Sequence, residues 1–144
     1  MPEELLDASA ALVLHCARIL RVARQSTTAP VAPMRVLSIL DEHGPMRISA
    51  LAVIDRCSQP TMTGTVTALL SGGDVTKTAD PDDARASLIR LTDVGRARLA
   101  AIRRLYAEAV ATRITDGGRV TPEQLRAATE VLAAVLDDPE GGTA

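Results

Sequence analysis

The residues with most chemistry to offer lie in one stretch, Ile48 to Thr92. Ser58, Gln59, Pro60, Thr61, Thr63 and Thr67 set small hydroxyls and one amide at the start of a segment with helical periodicity. Such groups supply donors and acceptors without bulk, which suits a helix that enters a major groove by its leading end. Further on, Asp83 and Arg85 stand two apart in an aspartate-rich run. At that spacing they are expected to pair, so that the carboxylate aims one cation at a minor groove or a phosphate. Catalysis finds less to work with. His15 and Cys16 are adjacent and so leave a helix on different sides, and His43 and Cys57 fall in different segments. No spacing matches a set of metal ligands, and no nucleophile stands beside a base. The expectation is a protein that is not an enzyme and carries neither metal nor cofactor.

Periodicity supplies the elements that must position these groups. Leu51, Ile54 and Cys57 recur at helical spacing, as do Met62, Val66, Leu69 and Leu70 after an interruption at Arg56 to Ser58. Ser58 can cap the second of these helices because its hydroxyl accepts from a free N–H one turn in, and Pro60 sits in the first turn, where no N–H is missed. Gly72-Gly73 ends it. Val75 and Lys77, then Ser87, Ile89 and Leu91, alternate as two short strands. Between them Ala79 to Ala86, with Pro81 and its aspartates, reads as a hairpin loop. Helix, tight turn, helix and ribbon is the order of a winged helix-turn-helix. Upstream, Pro33 opens a helix with Val36, Leu37, Ile39 and Leu40 inward, ended by Gly44-Pro45. Gln25 to Ala32 is a polar link before it, and Met46 to Ile48 is placed to join the wing as a third strand.

With 144 residues, 47% of them hydrophobic, no Phe or Trp and one Tyr, the chain reads as one domain with an aliphatic core. The fold class is mainly α with a small β wing. From Glu3 to Arg24 a helix carries Leu5, Ala8, Leu12, Cys16, Ile19 and Ala23, a stripe widened by Leu6, Val13 and Leu20. Thr92 caps another, with Leu99, Ile102, Leu105, Tyr106, Ala109 and Val110 on one face, ending before Gly117-Gly118. Thr121-Pro122-Glu123-Gln124 is a capping box that opens a last helix with Leu125, Ala128, Leu132 and Val135 as its buried stripe. These terminal helices carry more apolar surface than one small domain covers. Residues 1–30 and 93–137 are therefore expected to dimerise around the winged core at 31–92, with a disordered tail at 138–144. Two cysteines, no signal peptide and no membrane-length apolar run point to a reducing cytoplasm. The net charge of −2 argues against a phosphate binder, and between Arg56 and Arg98 six basic residues face five acidic ones. Local placement can still suffice, because phosphate contacts need positive charge only where they are made.

Leu51-Ala52, the Ser58 to Thr63 helix opening, Leu69, Gly73 and Val75 resemble the MarR family, the multiple antibiotic resistance regulators. Above all, so does the wing run Asp80-Pro81-Asp82-Asp83-Ala84-Arg85, followed by Leu91-Thr92 and Gly95. The resemblance implies a homodimeric winged-helix repressor of double-stranded DNA with a pseudo-palindromic operator. It also implies release by a small aromatic or anionic effector, for which His15 and Tyr106 are the cavity candidates. Some relatives sense peroxide through a first-helix cysteine, which makes Cys16 the redox candidate. The sequence departs from the family at Asp55, Arg56, Gly64, Asp74 and Lys77. Two other readings remain beside this one: a winged-helix protein-interaction module without DNA binding, favoured by the near-neutral charge, and a thiol-based redox regulator.

Overall fold

Each expected periodicity becomes an element in the computed structural model, which describes residues 1–25, 28 and 31–137. They are α1 (Glu3–Gln25), α2 (Val31–His43), α3 (Ile48–Ile54), α4 (Gln59–Ser71), β1 (Val75–Asp80), β2 (Asp83–Leu91), α5 (Asp93–Gly117) and α6 (Pro122–Leu136). α2 begins at Val31 and not at Pro33, so Pro33 sits inside the first turn, where its missing N–H is not needed. Gly44, with φ +79°, ends that helix. Of the polar link, Gln25 belongs to α1 and Val31 and Ala32 to α2, while residues 26, 27, 29 and 30 and the expected tail at 138–144 lie outside the described residues.

Strands β1 and β2 pair antiparallel from Val75 opposite Leu91 to Ala79 opposite Ser87, and then shift register so that Asp80 faces Asp83. The tip is therefore tighter than the eight-residue loop read from the sequence. Only Pro81 and Asp82 lie outside the ladder's limits, and residues 84–86 of β2 are extra at the register shift. Of the expected third strand only Met46 bonds, giving and taking hydrogen bonds with Ile89 at 3.1 and 2.9 Å. Ile48 has already entered α3.

One core holds these pieces together. Val36, Leu37 and Leu40 of α2 meet Leu51 and Ala52 of α3 and Met62, Val66 and Leu69 of α4. Val75, Ile89 and Leu91 from the wing and Leu99 from α5 close it. Each such aliphatic side chain contributes about 1.5–3 kcal/mol on leaving water, which is ample without aromatic residues. At the join between wing and α5, the Thr92 hydroxyl lies 2.7 and 2.9 Å from the carbonyls of Gly73 and Asp74 and accepts from the Gly95 N–H. A Cβ on Gly95 would stand 2.1 Å from the Asp74 carbonyl oxygen, so only glycine lets α5 start there.

The terminal helices behave differently. The first eleven residues of the chain are exposed throughout, and in α6 none is buried. The stripe of Leu125, Ala128, Leu132 and Val135, expected to be buried, is not covered by this chain: Leu132 is half-buried and the others are exposed. In α5, Leu99 and Ile102 are buried while Leu105 is 42% exposed. Among the described residues no helix is long and apolar enough to cross a membrane.

Candidate nucleic-acid interface

Helix α3 ends in a turn that only a left-handed residue can make, and Arg56 makes it with φ 51°. The Arg56 N–H bonds to the Val53 carbonyl and that of Cys57 to Ala52, which brings the chain back to start α4. There Ser58 is the cap the sequence predicts, accepting from the Thr61 N–H at 3.3 Å, with Pro60 in the first turn. Met62, Val66 and Leu69 bury one side of α4. On a 3.6-residue helix the opposite side is then Pro60, Gly64, Thr67 and Ser71, flanked by Thr63, and all five are exposed. No charged residue occurs anywhere in α4.

The hydroxyls of that helix are already committed. Thr63, Thr65, Thr67 and Ser71 each donate to the carbonyl four residues back, at 2.9, 3.2, 2.8 and 3.0 Å. What Thr63, Thr67 and Ser71 present outward is therefore oxygen lone pairs and, for the threonines, methyl groups. Those groups can accept from a base amino group and pack on a thymine methyl. Gln59 is exposed and supplies an amide that can donate as well as accept.

The wing corrects one expectation. Asp83 does not pair with the Arg85 guanidinium; its Oδ1 accepts from the Arg85 backbone N–H at 3.0 Å, a local turn contact. The cation that meets the wing carboxylates is Arg47, the residue just before α3. Its Nε lies 2.6 Å from Asp80 Oδ2, and its Nη2 lies 3.8 Å from Asp83. The bond from the Asp82 N–H and then the Arg47 guanidinium hold the Asp80 carboxyl below its ordinary range. Arg47 is raised in turn, chiefly by its bond to Asp80. Sequence reading misses Arg47 because its partners come 33 residues later, and nothing local signals the pairing. With Asp83 occupied elsewhere, the Arg85 side chain is exposed and makes no ion pair among the described residues.

The same accounting answers the charge objection. Between Arg56 and Arg98, Asp74, Asp80, Asp83 and Asp93 each lie within ion-pair reach of an arginine. Arg56, Lys77, Arg85 and Arg90 have no such partner among the described residues, against Asp82 alone of the five carboxylates, so the unpaired charge of this segment is net positive. Two departures from the family pattern are compensated internally. Asp55, with a side chain 7% exposed, receives both Nε and Nη2 of Arg35 at 2.6 and 2.9 Å. Asp74, at 1%, is held by Arg98 through Oδ2, while its Oδ1 has no hydrogen-bond partner among the described residues.

The effector and redox candidates are not gathered into a site. His15 is exposed and Tyr106 half-buried, and neither lines the two cavities found among the described residues. One cavity, of about 160 Å³, lies between α2, the end of α4 and α5, walled by Met34, Leu37, Leu69, Asp74, Arg98 and Ile102. The other, of about 440 Å³, lies between α1, the end of α5 and the start of α6. Cys16 and Cys57 are free thiols, both half-buried, and Cys57 packs on the core as its apolar spacing predicts.

Comparison with known proteins fits this geometry. The sequence model of the MarR family matches residues 31–87. Relatives named as HTH-type transcriptional regulators in Mycobacterium bovis and Mycobacterium tuberculosis are each 29% identical over 126 residues, covering 88% of this chain and 88% of theirs. A transcriptional regulator of Thermotoga maritima superposes with TM-score 0.73 at 21% identity, over 92% of this chain and 95% of its own. A MarR family protein of Bacillus stearothermophilus gives 0.70 at 16%, over 94% and 95%. BpsR of Bordetella bronchiseptica, whose DNA binding is regulated by 6-hydroxynicotinic acid, gives 0.58 at 20%, over 90% and 93%.

Proposed function

We propose that this chain, whose winged core over residues 31–87 belongs to the MarR family of transcriptional regulators, is a homodimeric repressor of a pseudo-palindromic operator. The observation that carries the reading is the exposed side of α4, small and uncharged, beside a wing where Lys77, Arg85 and Arg90 are unpaired among the described residues and outnumber the unpaired Asp82. Ser58, Gln59, Pro60, Thr61, Thr63 and Thr67 face the major groove. Arg85 reaches the minor groove or its phosphates, and Asp83 acts there through the turn backbone. Arg56, Lys77 and Arg90 add phosphate contacts, which supply affinity that α4 itself cannot.

Release follows when a small aromatic or anionic molecule binds between the terminal helices and the winged core. The cavity between α2, α4 and α5 supports that position, since it touches both Leu69 of the reading helix and Ile102 of the terminal set. A ligand there shifts DNA affinity only by its differential affinity for two arrangements of those helices.

Selection of bound fragments from a random DNA pool tests the reading. Two half-sites centred roughly 10 base pairs apart are expected, one duplex turn. Gln59→Ala should then cost about 1–3 kcal/mol on the selected operator and little on random duplex, because a base contact matters only where its base is present. A pool that yields no enriched sequence, with binding indifferent to salt, would favour a winged module that binds protein instead.

A further inference from the structure

Asp74 stands where α4 gives way to the wing. Its N–H donates to the Leu69 carbonyl at 3.0 Å, and its own carbonyl accepts from the Thr92 N–H at 3.0 Å and the Thr92 hydroxyl at 2.9 Å. The residue is thereby fixed between the reading helix and the start of α5. Its side chain is 1% exposed, and Arg98 holds Oδ2. Oδ1 is sealed from bulk water and accepts no hydrogen bond among the described residues, where no other buried side-chain oxygen or nitrogen is left so. Such an oxygen is costly, because it has given up water and received no donor in exchange. Asp74 also lines the cavity of about 160 Å³ between α2, α4 and α5. The remaining wall is apolar, with Met34 and Leu37 from α2, Leu69 from α4 and Ile102 from α5, apart from Arg98, whose charge that carboxylate already matches. A cavity of about 150 Å³ takes one benzene ring, so this one has room for a single small ring.

We infer that this cavity takes a small aromatic amine in its ammonium form, with the ring among the aliphatic side chains and an N–H donating to Asp74 Oδ1. Charge decides the class. An anion brought there meets an arginine already neutralised and a carboxylate oxygen that lacks a donor, whereas an ammonium supplies the missing donor as a charge-assisted bond. One polar anchor in an apolar cavity is also what orients a small ligand. This rests on the effector reading given above and narrows it: the ring stays, and the anion that the family resemblance implies gives way to a cation. The link to DNA follows from where Asp74 sits. A second cation at its carboxyl weakens the hold of Arg98, which ties α5 to the end of α4. The ammonium therefore binds best to an arrangement in which α5 and the reading helix have moved apart, and it shifts the population by that difference.

Benzylamine, benzoate and toluene, alike in shape and different in charge, test it when titrated at neutral pH into the full chain carrying ¹³C at its methionine methyls. Met34 lines the cavity, and Met1, 89% exposed at the chain's start, is the internal control. Benzylamine should move the Met34 signal and bind at least about tenfold more tightly than benzoate or toluene. Asp74→Asn keeps the size of the side chain and can still accept from Arg98, and it should reduce that preference to within about threefold. Arg98→Gln leaves the carboxylate without its cation and should keep or strengthen the preference. Circular dichroism checks that both variants fold; should Asp74→Asn not do so, the order of the probes on the wild type and on Arg98→Gln decides. Benzoate bound most tightly, and lost in Arg98→Gln, overturns the amine and leaves the effector reading standing. Equal binding of toluene and benzylamine shows that Oδ1 takes no part and overturns it too. A Met34 signal unmoved by all three removes the cavity as a ligand site, and the operator selection described above then judges the DNA reading by itself.

Discussion

Arg85 and Asp80 divide the work at the wing between a free charge and a fixed one. Arg85→Ala should weaken binding to operator and random duplex alike and flatten the salt dependence by about one unit, measured by fluorescence anisotropy between 50 and 200 mM salt. A loss confined to the operator would mean that Arg85 reads bases and not groove shape. Asp80, tied by the Asp82 N–H and by Arg47, has a carboxyl pKa below its ordinary value. A depressed pKa contributes stability at pH above the unfolded value, about 3.9, and loses it as pH falls through the lower folded value. The urea midpoints of wild type and Asp80→Asn should therefore differ by a constant amount from pH 7 to pH 5 and converge at more acidic pH. A gap that persists at pH 2 would mean that shape and not charge holds the wing. Arg56 shows the other side of residue economy, because a left-handed backbone costs a branched-off side chain roughly 1–2 kcal/mol that glycine avoids. Arg56→Gly should raise stability by about 1 kcal/mol while lowering DNA affinity, with thermal melts and anisotropy read on the same sample.

Helix α4 presents its outer face through Gly64, whose missing side chain faces open space. An interior glycine costs about 1 kcal/mol relative to alanine, so Gly64→Ala should stabilise the free protein by that much. If the helix docks by this face, the same methyl should weaken operator binding; equal or tighter binding would turn the face away from DNA. The sequence made α4 legible because its signals are local: Ser58 caps it, Pro60 starts it, and Met62, Val66 and Leu69 mark its buried side. The same holds for α6, where the capping box forms with both of its bonds. The wing tip resisted reading because β2 shifts register against β1 there, a choice set by pairing and not by residue type. Asp83 was legible as a member of the wing but not in its partner, since Arg47 arrives from before α3 and competes for the carboxylate. Asp55 and Asp74 stood in the sequence only as departures from the family, and the fold reveals Arg35 and Arg98 beside them.

At the scale of the molecule the chain divides into a covered core and uncovered ends. Removing residues 1–24 should yield an insoluble or unfolded chain, because Ala23 is buried and Val22 half-buried within α1, and the apolar sides of α5 and α6 lose a neighbour. A soluble, monomeric product with the wild-type melting temperature would show that the ends are dispensable. One element belongs to both parts. α5 buries Gly95, Leu99 and Ile102 in the winged core, while Val110 and Ile114 line the larger cavity at its far end. It runs 25 residues from Asp93 to Gly117 as one assigned helix, a rod of about 37 Å. Arg98 and Arg103 bolt its near half to Asp74 and to Asp41 of α2. Mechanically it would act as a lever, with its longer arm in the terminal helices and its shorter arm fixed in the winged core. A tilt of about 5° over that length displaces the opposite end by about 3 Å, nearly one base-pair rise. In the proposed dimer, two such levers related by the two-fold axis would carry the heads about two base pairs out of step with the duplex turn they are proposed to match.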